Sequence, residues 1–240
     1  VFHNAVSSWQ SQAVNLGSKF QSHVLPNAKI RWSEHQTPVF IDFSSPLGST
    51  TGLQKSSPGL AALQFIQEHA KLFKLENPEN ELTISDVSID RFGKQHVKLT
   101  QQYQGIPVWG QDLVLHYDKK GALYGLNARY SPTPKLNVIS GTFSAEHAIR
   151  LANAQLEGFV TFETLPPFFL EQLDYTGPTA KKYIWVERDQ PRVVWHVQIR
   201  PNLRDNWYVF VDAETGNIVQ KYNATNFDGP VQGSGVDLNG

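Results

Sequence analysis

Histidine and glutamate are the residues of this chain whose spacing bears most directly on metal chemistry. A zinc peptidase needs two histidines one helical turn apart, with a glutamate between them as the base. Glu68-His69 and Glu146-His147 come near this pattern, but Phe73 and Leu151 stand four residues after the histidines. Neither of these side chains binds zinc, and we expect the eight histidines to face solvent or to form local hydrogen bonds. The spacing therefore predicts no metal site and no bound cofactor in this chain.

Paired carboxylates and a nucleophilic serine are two further routes to hydrolysis. Asp212 and Glu214 are the nearest approach to an acid–base pair. Both precede Gly216, however, and an aspartate in such a turn commonly bonds its own backbone, so we interpret Asp212 and Asp118 as turn residues. Gly233-Ser234-Gly235 is too short for the nucleophile elbow Gly-x-Ser-x-Gly. The sequence predicts no catalytic residue in the chain itself.

Tryptophan would instead suit a peptide- or carbohydrate-binding surface. Four of the six tryptophans fall on regular apolar faces, where core packing is the simpler interpretation: Trp9, Trp185, Trp195 and Trp207. Trp109, at a strand junction, is the one whose burial the pattern does not decide. Asn223-Ala224-Thr225 matches a glycosylation sequon, but this tripeptide is common by chance.

The composition limits the class of protein. A chain of 240 residues is comfortable for two small domains, and 40% hydrophobic with 12% aromatic residues is too apolar for a disordered polymer. The 21 basic and 22 acidic residues give a net charge of −1, which provides no electrostatic reason for nucleic acid or a membrane as partner. Without cysteine there are no disulfides, and no apolar run is long enough to span a membrane.

Apolar periodicity in the first half predicts helices lying on an antiparallel sheet. One amphipathic helix is expected over 4–20, and a second opens at Ser57-Pro58, where serine caps the helix and proline takes its first position. Strands are expected over 28–32 and 38–43, and alternating strands run from Leu82 to Tyr130. The expected buried side of the second helix is Leu60, Leu63, Ile66, Ala70 and Phe73.

The second half repeats the layout of helix followed by sheet. Ser131–Lys135, with two prolines, is the best linker candidate, and Ser144 is expected to cap the next helix. The expected strands of this half are 182–187, 192–199, 207–212 and 217–222. The fold class is thus α+β, with two tandem units that each pack helices on an antiparallel sheet.

Two blocks of the sequence resemble known propeptide domains. Leu72-Phe73-Lys74-Leu75, Gly93 and the run from His96 to Gly110 look like the fungalysin/thermolysin propeptide domain. Residues 141–222 look like a PepSY domain, and Phe227–Gly240 resembles the glycine-rich opening of a mature thermolysin-like enzyme. The resemblance implies an N-terminal domain over 1–134, a PepSY-like domain over 135–224, and a junction with the start of a protease over 225–240.

The resemblance implies a function that needs no reacting group in this chain. Such propeptides assist the folding of a secreted zinc metalloendopeptidase and inhibit it until the junction is cut, usually by the enzyme itself. The implied partner is the cognate catalytic domain, whose zinc motif would lie beyond Gly240. Because these enzymes favour a bulky apolar residue after the scissile bond, we expect cleavage of Asn226-Phe227.

Two alternatives remain open on the sequence. One is a free-standing secreted protease inhibitor or binding module of the same architecture, although the glycine-rich tail does not suit such a module. The other is an enzyme that uses Asp212, Glu214 or clustered aromatic residues. The reading frame past Gly240 separates the first alternative from the propeptide, and turnover by the isolated chain would support the second.

Overall fold

A computed structural model describes residue 25 and residues 28–47, 57–136, 143–187 and 190–225. The expected helix over 4–20 and the expected Asn226-Phe227 junction lie outside these residues. The chain divides into two compact units. The first comprises Val1–Val138 and Tyr183–Val193, and the second comprises Ile139–Lys182 and Val194–Gly240.

The first unit contains an antiparallel sheet with the strand order β1-β2-β6-β5-β4-β3. Its strands are β1 (Ala28–Trp32), β2 (Pro38–Leu47), β3 (Leu82–Ile89), β4 (Gln95–Tyr103), β5 (Ile106–Tyr117) and β6 (Leu123–Arg129). On β4 the buried residues are Val97, Leu99 and Gln101, so the alternation expected from the sequence is confirmed.

In the part of the first unit that the structure describes, three helices accompany this sheet: α1 (Pro58–Glu68), α2 (Ala70–Phe73) and α3 (Pro78–Glu81). Ser57 caps α1 as expected, with its Oγ accepting the Leu60 amide at 3.5 Å, and Pro58 occupies the first position. The expected burial of Leu60 is wrong, because this side chain is 56% exposed. Leu60 lies six residues before the buried Ile66, so the two side chains point about 120° apart around the helix axis. Ala62 lies about one helical turn before Ile66, on the same side of the helix, and is buried.

One apolar core fills the first unit. Fully buried side chains of the helices, such as Ile66 and Phe73, belong to the same cluster as Leu99, Leu113 and Leu115 of the sheet. Each such side chain stabilises the fold by roughly 1.5–3 kcal/mol relative to its exposed state.

Aspartates close two hairpin turns of the first unit, and the sequence predicted the one at Asp118. Oδ1 of Asp118 accepts the amides of Lys120 and Ala122 at 2.8 and 2.9 Å, and Gly121 takes a φ of +79° that favours glycine. Asp90 makes the same pair of bonds before Gly93. These interactions fix the register of the strands on either side of each turn.

The first residues of the predicted linker are hydrogen-bonded to the first unit. Ser131 exchanges two hydrogen bonds with the buried side chain of Gln101, at 2.8 and 3.2 Å. Thr133 donates its hydroxyl to Glu81 at 2.7 Å and accepts the amide of Glu76 at 2.8 Å. Ser131 and Thr133 are therefore held on the first unit. They provide hydrogen-bond partners for the buried side chains of Gln101 and Glu81.

The second unit has a smaller core. Its elements include α4 (Ala145–Leu156), α5 (Pro167–Gln172), β9 (Trp207–Asp212) and β10 (Ile218–Asn223), whereas β7 (Thr179–Glu187) and β8 (Gln190–Ile199) have residues in both units. Ser144 caps α4 as expected, with its Oγ accepting the His147 amide at 3.3 Å. The antiparallel strands β8, β9 and β10 pack against α4 through small and branched side chains: Ala148, Ala152, Leu156, Val197, Ile199, Val209 and Val211. The fold class α+β is confirmed.

Candidate functional site

The histidines that were candidates for metal binding are engaged locally. His69 Nδ1 lies 2.8 Å from the carbonyl of Phe65, and His147 Nδ1 lies 3.2 Å from Arg150. Within the part of the chain that the structure describes, no three His, Cys, Asp or Glu side chains group in a way that could hold a metal ion. In the same residues, no helix is long and apolar enough to cross a membrane.

One pair of histidines was not singled out from the sequence. His96 on β4 stands directly opposite His116 on β5, and their Nδ1 atoms are 2.8 Å apart, so one ring donates and the other accepts. Asp90 lies 3.4 Å from His96 Nε2, and Asn127 lies 3.2 Å from His116 Nε2. Burial lowers the pKa of His116, and the charges of His96 and Lys94 add to this effect. Only the strand register brings these two residues together.

The candidate acid–base pair is a turn. Oδ1 of Asp212 accepts the amides of Glu214 and Thr215 at 3.0 and 2.9 Å, and Gly216 takes a φ of +74°. Asp212 is buried whereas Glu214 is exposed, so the two carboxylates do not face a common cavity. The interpretation of Asp212 as a turn residue is confirmed.

The burial of the tryptophans agrees in part with the core packing expected from the sequence. Trp195 and Trp207 are half-buried against the core of the second unit. Trp109 is half-buried, with its ring 4.9 Å from that of Tyr183 in an edge-to-face arrangement. Trp9 lies outside the described residues.

A network of polar side chains in the second unit holds the end of β10. We call it the exit clamp, and it consists of Asn202, Asp205, Asn206, Asn223 and Thr225. Asp205 is its centre, because its two carboxylate oxygens accept the side-chain amides of Asn202 at 2.9 Å and of Asn223 at 2.6 Å. Asn202 and Asn206 are 8% and 7% exposed, so these two side chains have little access to water.

Backbone groups complete the exit clamp. Oδ1 of Asn223 accepts the amides of Asn206 and Thr225, each at 3.1 Å. The amide of Ala224 donates to the carbonyl of Asn206 at 2.6 Å, and the Thr225 hydroxyl donates to the carbonyl of Arg204 at 2.8 Å. The chain is therefore held up to Thr225, one residue before the expected junction.

Sequence reasoning missed this clamp, although its signal is present. Three Asn or Asp residues stand within the five residues 202–206, between two strands, which is typical of a loop closed by side-chain hydrogen bonds. The clamp also bears on the sequon at Asn223. Its Nδ2 already donates to Asp205 at 2.6 Å, so a glycan on this nitrogen would require the contact to open.

A cleft of about 540 Å³ lies in the second unit. Leu165, Leu170 and Ile199 supply apolar walls, and Glu157, Glu163 and Arg200 supply charges at its lining. The Tyr175 hydroxyl accepts the Arg200 amide at 3.1 Å, and burial raises the pKa of Tyr175. A cleft of this size can receive a few side chains, but it brings no nucleophile and base into contact.

Two family models match the chain in tandem. Residues 80–130 match the Fungalysin/Thermolysin Propeptide Motif, and residues 143–222 match the Peptidase propeptide and YPEB domain, or PepSY. The first match covers β3 to β6, and the second covers α4 to β10 without the last residue of that strand.

Several proteins that are similar to the chain carry protease names. The chain is 27% identical to bacillolysin of Bacillus amyloliquefaciens over 75% of its length, and 23% identical to neutral protease B of Bacillus subtilis (strain 168) over 92%. It is 24% identical to thermolysin of Alicyclobacillus acidocaldarius over 80% of its length. The matched part spans only 34%, 39% and 34% of these relatives.

The two propeptide models, in this order, and the protease relatives define the class of protein. The chain is a propeptide region of the kind found in thermolysin-like metalloprotease precursors. The recognition made from the sequence is confirmed.

Proposed function

We propose that this chain is an intramolecular chaperone and inhibitor of a secreted thermolysin-like zinc metalloendopeptidase. The observation that carries this proposal is the tandem of propeptide matches over 80–130 and 143–222, together with an alignment to neutral protease B that covers only 39% of that protease. In this proposal the zinc ion and the reacting groups belong to the catalytic domain that follows, and this chain supplies a folded surface.

Covalent attachment explains how such a surface inhibits. A segment tethered to its target has an effective concentration in the millimolar range for a short linker, so a contact that is weak between separate molecules blocks well within one chain. Cutting the junction removes this advantage and lets the propeptide dissociate. We assign residues 1–134 and 135–224 to the two propeptide domains and 225–240 to the junction and the start of the protease.

We place the cut at Asn226-Phe227. Phe227 is the bulky apolar residue that thermolysin-like enzymes favour after the scissile bond. The exit clamp supports a controlled cut, because Ala224 and Thr225 would precede the bond as substrate residues while their amides are already bonded within the second unit. A protease that binds this stretch in extended form must first release those amides, which slows cleavage.

Inhibition in trans and sequencing of the cut protein test the proposal. The 240-residue chain is added to the mature protease released from the same precursor, and hydrolysis of a peptide substrate is followed. We expect dose-dependent inhibition, and Edman sequencing of the matured enzyme should begin at Phe227. A precursor gene that ends shortly after Gly240 without a zinc-binding helix contradicts the proposal and favours a free-standing inhibitor or binding module. A matured enzyme that begins elsewhere overturns only the assigned junction.

A further inference from the structure

Exposed aromatic side chains of the second unit are concentrated in one stretch of sequence. We call residues 159–172 the aromatic segment. The stretch carries four exposed phenylalanines, whose exposed fractions range from 39% to 65%: Phe159, Phe162, Phe168 and Phe169. Single exposed apolar residues are ordinary on a protein surface, but a cluster of large aromatic ones marks an interaction surface.

The local fold presents these rings rather than covering them. Pro166 and Pro167 start the short helix α5, which buries none of its residues. Phe168 and Phe169 lie at its beginning with ring centroids 5.5 Å apart. The second unit thus holds two large rings on a helix that contributes nothing to its own core.

The rest of the aromatic segment contacts neighbouring parts of the second unit and lines the cleft. The ring of Phe159 packs edge-to-face on Trp207 at 5.5 Å, and the Glu163 amide donates to the carbonyl of Pro201 at 2.8 Å. Phe162, Leu165 and Leu170 line the cleft described above. A partner that covers the exposed rings could also place an apolar side chain in this cleft, as central contacts of protein interfaces do.

The exit clamp joins this segment to the end of β10. Asn202 donates its side-chain amide both to the carbonyl of Thr161 and to Asp205, and Asp205 in turn accepts from Asn223. Leu203, between these clamp residues, is a further exposed apolar side chain at 41%. Three hydrogen bonds therefore connect Asn223, at the end of β10, to Thr161 in the aromatic segment.

From this continuity we propose that the aromatic segment is the surface on which the following protease domain docks. The inference rests on the proposed propeptide function and names the surface that it uses. A domain that begins just past the clamp is held beside these rings by its own attachment, so its contact with them carries little entropic cost. Burial of the four rings in the complex would supply the apolar centre of the interface.

A pair of matched double variants tests the surface. Phe168→Gln/Phe169→Gln removes two exposed rings from α5 and keeps residues that suit a helix. Ile89→Gln/Phe92→Gln removes two apolar side chains of the first unit that are 69% and 55% exposed. Each full-length chain is titrated against the mature protease of the same precursor, and urea unfolding verifies that both variants keep the wild-type midpoint.

We expect the inhibition constant to rise at least about tenfold for the α5 variant and to stay within about twofold for the control. Hydrogen exchange of the wild-type chain supplies a second readout that needs no variant. Amides of 159–172 should gain protection when the protease is added, while those of the turn at 90–93 should not.

The possible failures are distinguishable. A wild-type chain that inhibits, together with an α5 variant that inhibits equally and no protection of 159–172, overturns the docking surface alone. A wild-type chain that neither binds nor inhibits overturns the proposed function, and the surface with it. Dimerisation of the chain in sedimentation velocity that is lost in the α5 variant assigns the surface to a second copy and contradicts the proposal.

Discussion

The two units use their large apolar side chains differently. In the first unit, Phe73 and Leu99 are fully buried, and buried polar groups such as Gln101 and Glu81 find partners within the unit. In the second unit, the core cluster is built mainly from alanine and valine, Phe210 is fully buried, and the phenylalanines of the aromatic segment remain exposed. The described part of the first unit also exposes apolar side chains, such as Ile89 and Phe92, but these are not gathered in one short stretch as the four phenylalanines are. Under the docking proposal, the second unit keeps this stretch for a partner.

The sharpest test of this contrast is to truncate a phenylalanine in each unit. Phe73 is fully buried, and its ring lies 6.3 Å from Phe65 and 6.0 Å from Tyr130, so Phe73→Ala should lower the free energy of unfolding by about 3–5 kcal/mol. Phe168 is 65% exposed, so Phe168→Ala should change it by about 0.5 kcal/mol or less. Urea denaturation followed by circular dichroism measures both. Equal costs for the two variants would remove the distinction between a stabilising core and a reserved surface.

The exit clamp should give the next largest effect. Asp205→Ala leaves the buried amide of Asn202 and that of Asn223 without their shared acceptor, which should cost about 1–3 kcal/mol. In the full precursor this variant should also speed cleavage of the junction, because the amides of Ala224 and Thr225 are released more easily.

Asn217→Ala is the control for this variant, since Asn217 is exposed on the same unit. Its stability and cleavage rate should match those of the wild type, and gel electrophoresis of the precursor over time measures the cleavage. An Asp205→Ala precursor that is cut more slowly than the wild type would show that the clamp presents the junction rather than restrains it.

A smaller effect should appear as a pH dependence of stability that originates in the second unit. Burial, assisted by the charge of Lys181, lowers the pKa of His196 to about 4, and its ring packs against Tyr208 and Phe210. The unfolded chain therefore binds a proton at higher pH than the folded chain. This contribution to stability is complete above the unfolded pKa of about 6.5 and is lost progressively as pH falls from there towards 4.

His196→Phe should flatten this part of the pH profile, whereas His35→Phe serves as a half-buried histidine control in the first unit. Thermal unfolding between pH 4 and pH 7.5 measures the slopes. A profile of His196→Phe that parallels the wild type across this window would assign the acid sensitivity to other groups.

The sequence predicted most of the local structure because its signals are local. Serine caps at Ser57 and Ser144 and the aspartate turn at Asp118 need only neighbouring backbone amides, and all three are confirmed. Leu60 was misjudged because apolar spacing alone does not tell which side of a short helix meets the sheet.

The features of the site depend on contacts between distant parts of the chain. Asp205 and Asn223 meet through the pairing of β9 with β10, and His96 meets His116 through the register of β4 and β5. No spacing along the sequence encodes these pairs. Two adjacent prolines, Pro166 and Pro167, do not suit a central strand, but the presentation of exposed rings depends on the helix that they start.

The central claim, that this chain serves a protease domain that follows it, is tested most directly by refolding. The mature catalytic domain is unfolded in guanidinium, diluted with zinc and calcium into buffer with or without an equimolar amount of the 240-residue chain, and assayed after the added chain has been digested. The account predicts substantial recovery of peptidase activity only when the chain is present. Equal recovery with the chain, with an unrelated protein of the same size, and without any addition would contradict it.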